Sequence, residues 1–506
     1  MKNNDRLILS VDLGTSNVKG AVFDIQGKEL AKASIEYFLL YPAKSIVEND
    51  VEVYWNKVKK ILKDLCCKIG SRAKKIIAIV TSSQAETIVP LDRDYKPLRN
   101  AIVWIDIRSI EEAKEIENHF NTLKQFNRTG YPTVDPSWPA TRILWLKKHE
   151  PEIFSRTAKF VLLHDYILYR LSGKIAGEAT TYNSSYYYDI KEFKYIHEML
   201  DFLAIKENKL PEVVKSGTEI GTITDEVRNI TGMDIKTKVI AGAMDQVCGA
   251  VGVGNVSEGM ATETTGSAFA MFINTGKPLM DYNYKLPCIL HAVPQEYALM
   301  PYSSTGGMVL KWFKDNFYKE ELKIASKYGK NVFQLLDREA SKISPGSEGL
   351  IMLPFLTGAF FPEYDPEAKA VFFGIGINHI RPHFIRSILE SIAYMMRNDI
   401  EAARCMGIEI DKVISMGGGA SSDLWNQIKA DVCNIRIEVP AYTEAALLGA
   451  AIIAGVNLGI YNSFKDAAKL IVKIRKSFKP DVSNAKSYDV GFKKYKELYK
   501  RLKGLF

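Results

Sequence analysis

The placing of apolar residues divides the beginning of the chain into short strands and one helix. "LILSVD" (7–12) is a nearly continuous apolar run of strand length, "LGTSN" a tight turn, and "VKGAVFD" (18–24) a second strand. A third strand-like stretch, "KELAKASIEY", follows Gln26-Gly27. From Val51 to Ile69 apolar positions recur at helical spacing, and "KIIAIVTS" (75–82) reads as a buried strand. A hairpin, a helix and a further strand differ from the strand–loop–helix opening of a dinucleotide fold.

The pattern starts again in the second half. "MATETTGSAFAMFIN" (260–274) places a hydroxyl-rich turn between strand-like segments, and "KVISMGGGASSDLWNQIKADV" (412–432) reads strand, Gly-rich turn, amphipathic helix. Two similar α/β domains meeting near residues 247–256 account for both turns, with an N-terminal domain over 1–247 and a C-terminal domain over 248–506. "AALLGAAIIAGV" (445–456) is too short to cross a bilayer and rich in small residues, so a buried, closely packed helix is expected. "DVGFKKYKELYKRLKGLF" (489–506) predicts a basic amphipathic helix, read as a solvated terminal helix rather than a membrane anchor.

At 506 residues the chain is too long for one ordinary core. Its 47% hydrophobic and 25% charged residues are globular values. The net charge of +8, from 67 basic and 59 acidic residues, is spread without a basic block, so no nucleic-acid partner is expected. Six cysteines with no CxxC pair, and no visible signal peptide, point to a cytoplasmic protein.

Four stretches carry candidate chemistry. In "DLGTSNVK" the turn Gly14-Thr15-Ser16 brings backbone N–H groups and hydroxyls together as phosphate oxygens require; Asp12 could hold Mg²⁺ through water and Lys19 could add charge. An ordinary hairpin turn is the plainer alternative. "ETTGSAF" is a second such turn. In "MGGGASSDLWNQ" consecutive glycines between strand and helix admit a ligand close to the backbone, so adenine or ribose could lie against Gly418, Gly419 and Ala420 with Asn426 and Gln427 nearby. Last, "VIAGAMDQVCGAVGVG" (239–254) sets Asp245 in an otherwise apolar stretch, where an unpartnered carboxylate is costly. A helix cap, an acid satisfied by backbone donors and a general base in a dry cleft all fit. His379 and His383 lack a third ligand at metal spacing and read as structural.

With these stretches in this order, the chain resembles the FGGY family of carbohydrate kinases over nearly its whole length. "AIVWIDIRS" (101–109) resembles the stretch after the family's substrate strand. "ILWLKKHEPEIF" (143–154) and "AVFFGIGINHIRPHFIRSILESIAY" (370–394) resemble its two signatures, and "EAALLGAA" (444–451) its nucleotide end. The resemblance implies two ribonuclease-H-like domains of the actin/hexokinase type, α/β in class, with ATP and sugar in the cleft between them. It makes Asp245 the general base, Asp12 the residue that places Mg²⁺, and Thr15 and Ser16 contacts of the transferring phosphoryl group. Gly266 and Ser267 would lie by the ATP phosphates, and Gly418, Gly419 and Asn426 by the nucleoside.

The sugar side departs from the family pattern. "SSQAET" (82–87) keeps Gln84 and Glu86, but Ala85 stands where relatives carry a large polar group, leaving room for a longer or differently placed substrate. Gln246 after Asp245 is glycerol-kinase-like, while "HEPEIF", "GAVGVG" and "KAVFFG" are xylulokinase-like. Arg142 replaces the signature lysine, and Glu178 stands near a usual Asp. Trp104, Asp106, Arg108 and Trp138 are candidate pocket walls, or else core aromatics and a surface ion pair. The expected acceptor is a ketopentose such as D-xylulose, with glycerol, a tetritol or another ketose as alternatives. An actin-like non-metabolic ATPase is the alternative of a different class, and a homodimer is expected by family analogy alone.

Overall fold

Two mixed sheets with one strand plan form the core of the molecule; the computed structural model describes residues 5–328, 331–359 and 361–506. The first sheet contains β1 (Leu7–Leu13), β2 (Asn17–Asp24), β3 (Glu29–Glu36), β4 (Ile76–Ser83), β5 (Glu219–Thr222) and β6 (Lys238–Met244), in the order β3-β2-β1-β4-β6-β5. The first three strands pair antiparallel, β1, β4 and β6 run parallel, and β5 closes the edge antiparallel. Helices α1 (Val51–Ile69), α2 (Pro139–His149) and α3 (Asp245–Gly252) accompany it.

The second sheet repeats the plan with β7 (Met260–Thr265), β8 (Phe269–Thr275), β9 (Cys288–Leu290), β10 (Tyr297–Leu299), β11 (Lys412–Met416), β12 (Arg436–Pro440) and β13 (Ile474–Phe478). Its order is β9-β10-β8-β7-β11-β12-β13, and from β10 onward the pairings follow those of the first sheet one for one. The edge strand differs in chain order, since β5 precedes β6 whereas β13 follows β12. Helices α4 (Gly307–Phe317), α5 (Arg381–Cys405), α6 (Asp423–Cys433), α7 (Ala445–Asn457) and α8 (Ala485–Leu502) belong to this second half of the chain. This is the expected pair of ribonuclease-H-like domains.

β1 reads as a continuous apolar run because both of its faces are covered. Leu7, Leu9, Val11 and Leu13 pack with Trp55, Val58 and Ile61 of α1 in one cluster, while Ile8 belongs to the other. Asp50 caps α1 by accepting the Glu52 N–H at 2.9 Å, and Gly70 ends it at a φ of 60°. α7 is the buried small-residue helix expected from "AALLGAAIIAGV": it follows β12 in the chain yet rests on β1 and β4 of the first sheet. It meets α3 backbone to backbone. A Cβ on Gly449 would lie 1.7 Å from the Cys248 carbonyl oxygen, and one on Gly252 1.9 Å from that of Ala445. The terminal helix α8 is docked rather than free, with Tyr488, Phe492, Tyr495, Leu498 and Tyr499 buried, and a face made mostly of Lys and Arg meets solvent. Among the described residues no helix is long and apolar enough to cross a membrane.

The α3–α7 contact makes a direct prediction. Gly449→Ala forces the helices apart and costs about 1–3 kcal/mol or more, read as a lower midpoint in urea unfolding; an unchanged midpoint would show that the helices are not in contact in solution.

Candidate active site

Ligands of open α/β sheets bind beyond the carboxyl ends of parallel strands. In the first sheet those ends lie side by side, with Leu13 of β1 and Met244 of β6 both in register with Ser83 of β4. The chain therefore brings Asp12, the segment Gln84–Glu86 and Asp245 to one place. Asp12 accepts the Ser82 hydroxyl at 2.7 Å, and burial raises its pKa against the pull of that hydrogen bond and of Lys19. The turn after it is held from behind: Tyr37 donates its hydroxyl to the Gly14 carbonyl and its N–H to that of Ser16 at 3.0 Å, leaving Ser16 exposed.

Asp245 is the first residue of α3, and the preceding Met244 occupies the cap position. The Gln246 N–H, at 2.7 Å, is its only hydrogen-bond donor among the described residues. Its pKa is pushed up to about 7, first by desolvation, then by the charge of Asp12, with Glu86 adding to it. Of the three sequence readings, a cap and a fully satisfied buried acid both fail. What is left is a poorly solvated carboxylate beside other acids, keeping partial exposure toward the cleft.

Beside it, Glu86 sits at a φ of 60° and accepts the Ser184 hydroxyl. Burial raises its pKa to about 7; Ser184 and Arg142 oppose the rise and Asp135 adds to it. Gln84 donates to the Gly14 carbonyl at 3.3 Å, and Ala85 is packed into the apolar core. Arg142, on α2, is fully buried, and its guanidinium donates at 2.8 Å to the carbonyls of Glu86, Trp104 and Asp106. It therefore holds the loops at residues 86 and 104–106 through their backbone, and burial lowers its pKa to about 10. The Trp104 indole, 38% exposed, donates to the Thr15 hydroxyl at 2.9 Å, joining its loop to the turn after β1. Trp138 is a core aromatic stacked on Tyr186 at 5.1 Å.

Four sequence expectations are corrected. Asp106 and Arg108 form a buried rather than a surface ion pair, 2.7 Å apart, because Asp106 also accepts the Val47 N–H at 2.6 Å. Lys19 pairs with Glu444 at 2.8 Å, so its ammonium is already committed across the domains. Asn426 does not face a nucleoside: it is fully buried and donates to the Ala420 carbonyl at 3.0 Å, bracing the glycine turn from behind. Glu178 is likewise buried, capping residues 179–182 and accepting the Ser216 hydroxyl at 2.6 Å. His379 and His383 are structural as expected, their Nδ1 atoms accepting the N–H groups of Gly376 and Ile380. Sequence reading missed Asp135 and Ser184, which act on Glu86, and Tyr131 and Tyr302, whose ionisation the Glu86 charge opposes; none of the four carries a motif.

The second sheet offers a matching cavity at its own strand ends. About 530 Å³ in volume, it is lined by Thr265, Gly266, Ser267, Gly418, Gly419 and Trp425, with Met308, Phe333 and Gln334 opposite. Gly417, at a φ of 74°, and Gly419 press against Thr265, so its two turns are in contact.

Two sequence models match the chain: the FGGY family of carbohydrate kinases, N-terminal domain, over residues 7–252, and the C-terminal domain of the same family over 265–458. The chain belongs to the FGGY family of carbohydrate kinases. It is an ATP-dependent sugar phosphotransferase, and that membership sets aside the actin-like ATPase alternative. The chain is 29% identical to a xylulose kinase of Bacillus subtilis, covering 99% of this chain and 98% of that one. It is also 27% identical to a gluconokinase of the same species over 95% of this chain and 93% of that one. The solved structure of a ligand-bound xylulose kinase from Lactobacillus acidophilus superposes with a TM-score of 0.90 at 26% identity, covering 98% of both chains.

The Asp245 environment has a consequence for stability. A carboxyl raised from 3.8 to about 7 on folding contributes stability at low pH that is lost as pH rises through the folded value. Asp245→Asn is therefore expected to be more stable than the parent near pH 8, by roughly 4 kcal/mol at most, with the difference closing near pH 4. Urea midpoints at the two pH values check this, and equal midpoints at both would contradict the raised pKa.

Proposed function

We propose that this kinase transfers the γ-phosphoryl group of ATP to a hydroxyl of a neutral ketopentose such as D-xylulose. The observation that carries the reading is the grouping of Asp245, Asp12 and Glu86 at adjacent parallel strand ends. A polyol suits Glu86 and Ser184, which accept and donate hydrogen bonds; the carboxylate of gluconate would meet the acids Glu86 and Asp135 instead. The relatives in sequence that are named xylulose kinases agree with this preference.

In this reading the N-terminal unit (1–247) holds the sugar and the C-terminal unit (248–506) the nucleotide. Asp245 removes the proton of the acceptor hydroxyl, and a pKa near neutrality suits a general base. Gly14, Thr15 and Ser16 contact the transferring group, Gly266 and Ser267 the ATP phosphates, and Gly418 and Gly419 the nucleoside. The partly exposed carboxylate of Asp12 fits Mg²⁺, which is held through one or two carboxylates, waters and substrate phosphates. When bound there, Mg²⁺ neutralises charge on the phosphates. Closure of the cleft keeps water from the γ-phosphate. A cytoplasmic location and a homodimer belong to the same proposal.

The test is ADP release at fixed Mg-ATP with D-xylulose, L-xylulose, D-ribulose, L-ribulose, glycerol, erythritol and D-gluconate. D-xylulose is expected to give the highest turnover, and Asp245→Ala to lower it about 10²–10⁴-fold while ATP still binds. Preference for gluconate would overturn the substrate, and normal turnover in the variant would overturn the role of Asp245.

A further inference from the structure

Behind the nucleotide cavity lies an ion pair with no exposure of either side chain. Lys429 of α6 places its ammonium 2.6 Å from Glu263 of β7. Lysine and glutamate are almost never fully buried unless paired, and such pairs are often replaceable by apolar residues without loss of stability. A fold that only needed a core here could have used leucine. The carboxylate is fully engaged: Oε1 also accepts the Ser415 hydroxyl from β11, and Oε2 accepts the Thr265 hydroxyl at 2.7 Å. Lys429 donates as well to the Thr265 hydroxyl at 3.0 Å and lies 5.0 Å from the centre of the Trp425 ring.

These partners come from three elements, β7, β11 and α6, and the ends of the same three elements line the cavity: Gly266-Ser267 after β7, Gly418-Gly419 after β11, and Trp425 on α6. Thr265 is where they meet. It lines the cavity, bonds to both members of the pair, and lies against the glycine turn, with its Cβ only 2.7 Å from where a Cβ on Gly419 would be. The first sheet carries a related arrangement. Asp12 stands in register with Ser82 as Glu263 does with Ser415, and each acid accepts its serine hydroxyl. In the first sheet the acid opens to the cleft; in the second it is sealed by Lys429.

We propose that Glu263 and Lys429 are positioning residues that set nucleotide affinity by fixing Thr265 and the two turns, without touching the nucleotide. This rests on reading the cavity as the ATP site. The pair acts before binding: turns held in place need no ordering when phosphates arrive.

The test compares ADP binding by calorimetry with D-xylulose binding in Lys429→Met, in the charge-free double variant Glu263→Gln/Lys429→Met, and in Ser415→Ala, which removes one hydrogen bond to Glu263. Both Lys429 variants are expected to weaken ADP by about tenfold or more and Ser415→Ala by about threefold, with D-xylulose affinity unchanged within about twofold. Kinetics should show the same split, a raised KM for ATP with kcat at saturation little changed. If Lys429→Met does not fold, the double variant and Ser415→Ala decide. Unchanged ADP affinity, or ADP and sugar weakened alike, overturns the proposal. Gly418→Leu, whose side chain would enter the cavity, separates the two readings. If it abolishes ADP binding while the Lys429 variants do not weaken it, the positioning role alone fails; if it leaves ADP binding intact, the cavity is not the nucleotide site and the proposal falls with it.

Discussion

The backbone contact between α3 and α7 is the constraint on which the rest of the molecule depends. α3 begins with Asp245 at the end of the first sheet, and α7 descends from the second sheet to lie on the first. Their approach is set by Gly252 and Gly449, where any side chain would strike a carbonyl. Beside this contact Glu444, just before α7, reaches Lys19 of β2. The contact therefore ties Asp245 and the strand that follows the first turn to the chain that leads from the other sheet.

On that frame the chemistry follows from desolvation and like charge. Asp12, Glu86 and Asp245 stand at neighbouring strand ends in surroundings that hydrate them poorly, and the charges of Asp12 and Glu86 add to the cost of ionising Asp245. Such a cluster destabilises the folded state, and acids perturbed in this way gather at functional sites. The supporting groups compensate these acids only in part. Ser82 and Ser184 each bond one acid, and Arg142, the nearest buried cation, is spent on three carbonyls rather than on a carboxylate.

The strand plan and the buried helix were readable because they depend on local apolar pattern: β1 through β4, α1, α7 and the two hydroxyl-rich turns all fall where periodicity placed them. Asp245 was readable because a lone acid in an apolar run is conspicuous. What escaped depends on long-range contact or on side-chain direction. Glu263 and Lys429 are 166 residues apart and meet only through the second sheet. Asp135 and Ser184 lie outside any periodic segment and become significant only beside Glu86. Asn426 stands near the glycine run in sequence, but the first turn of α6 rotates it into the core while Ser422 and Trp425 face the cavity. Arg142 read as a retained charge, whereas its planar fork serves backbone carbonyls.

The most direct test of this account is the titration of Asp245 itself, followed by infrared difference spectroscopy of the carboxyl band in the parent and in Asp245→Asn. The account predicts a carboxyl that titrates near pH 7 in the parent and is missing from the variant. A missing band that instead titrates near the ordinary aspartate value of 3.8 would show that the cleft does not shift this group, and the general-base reading would lose its physical ground.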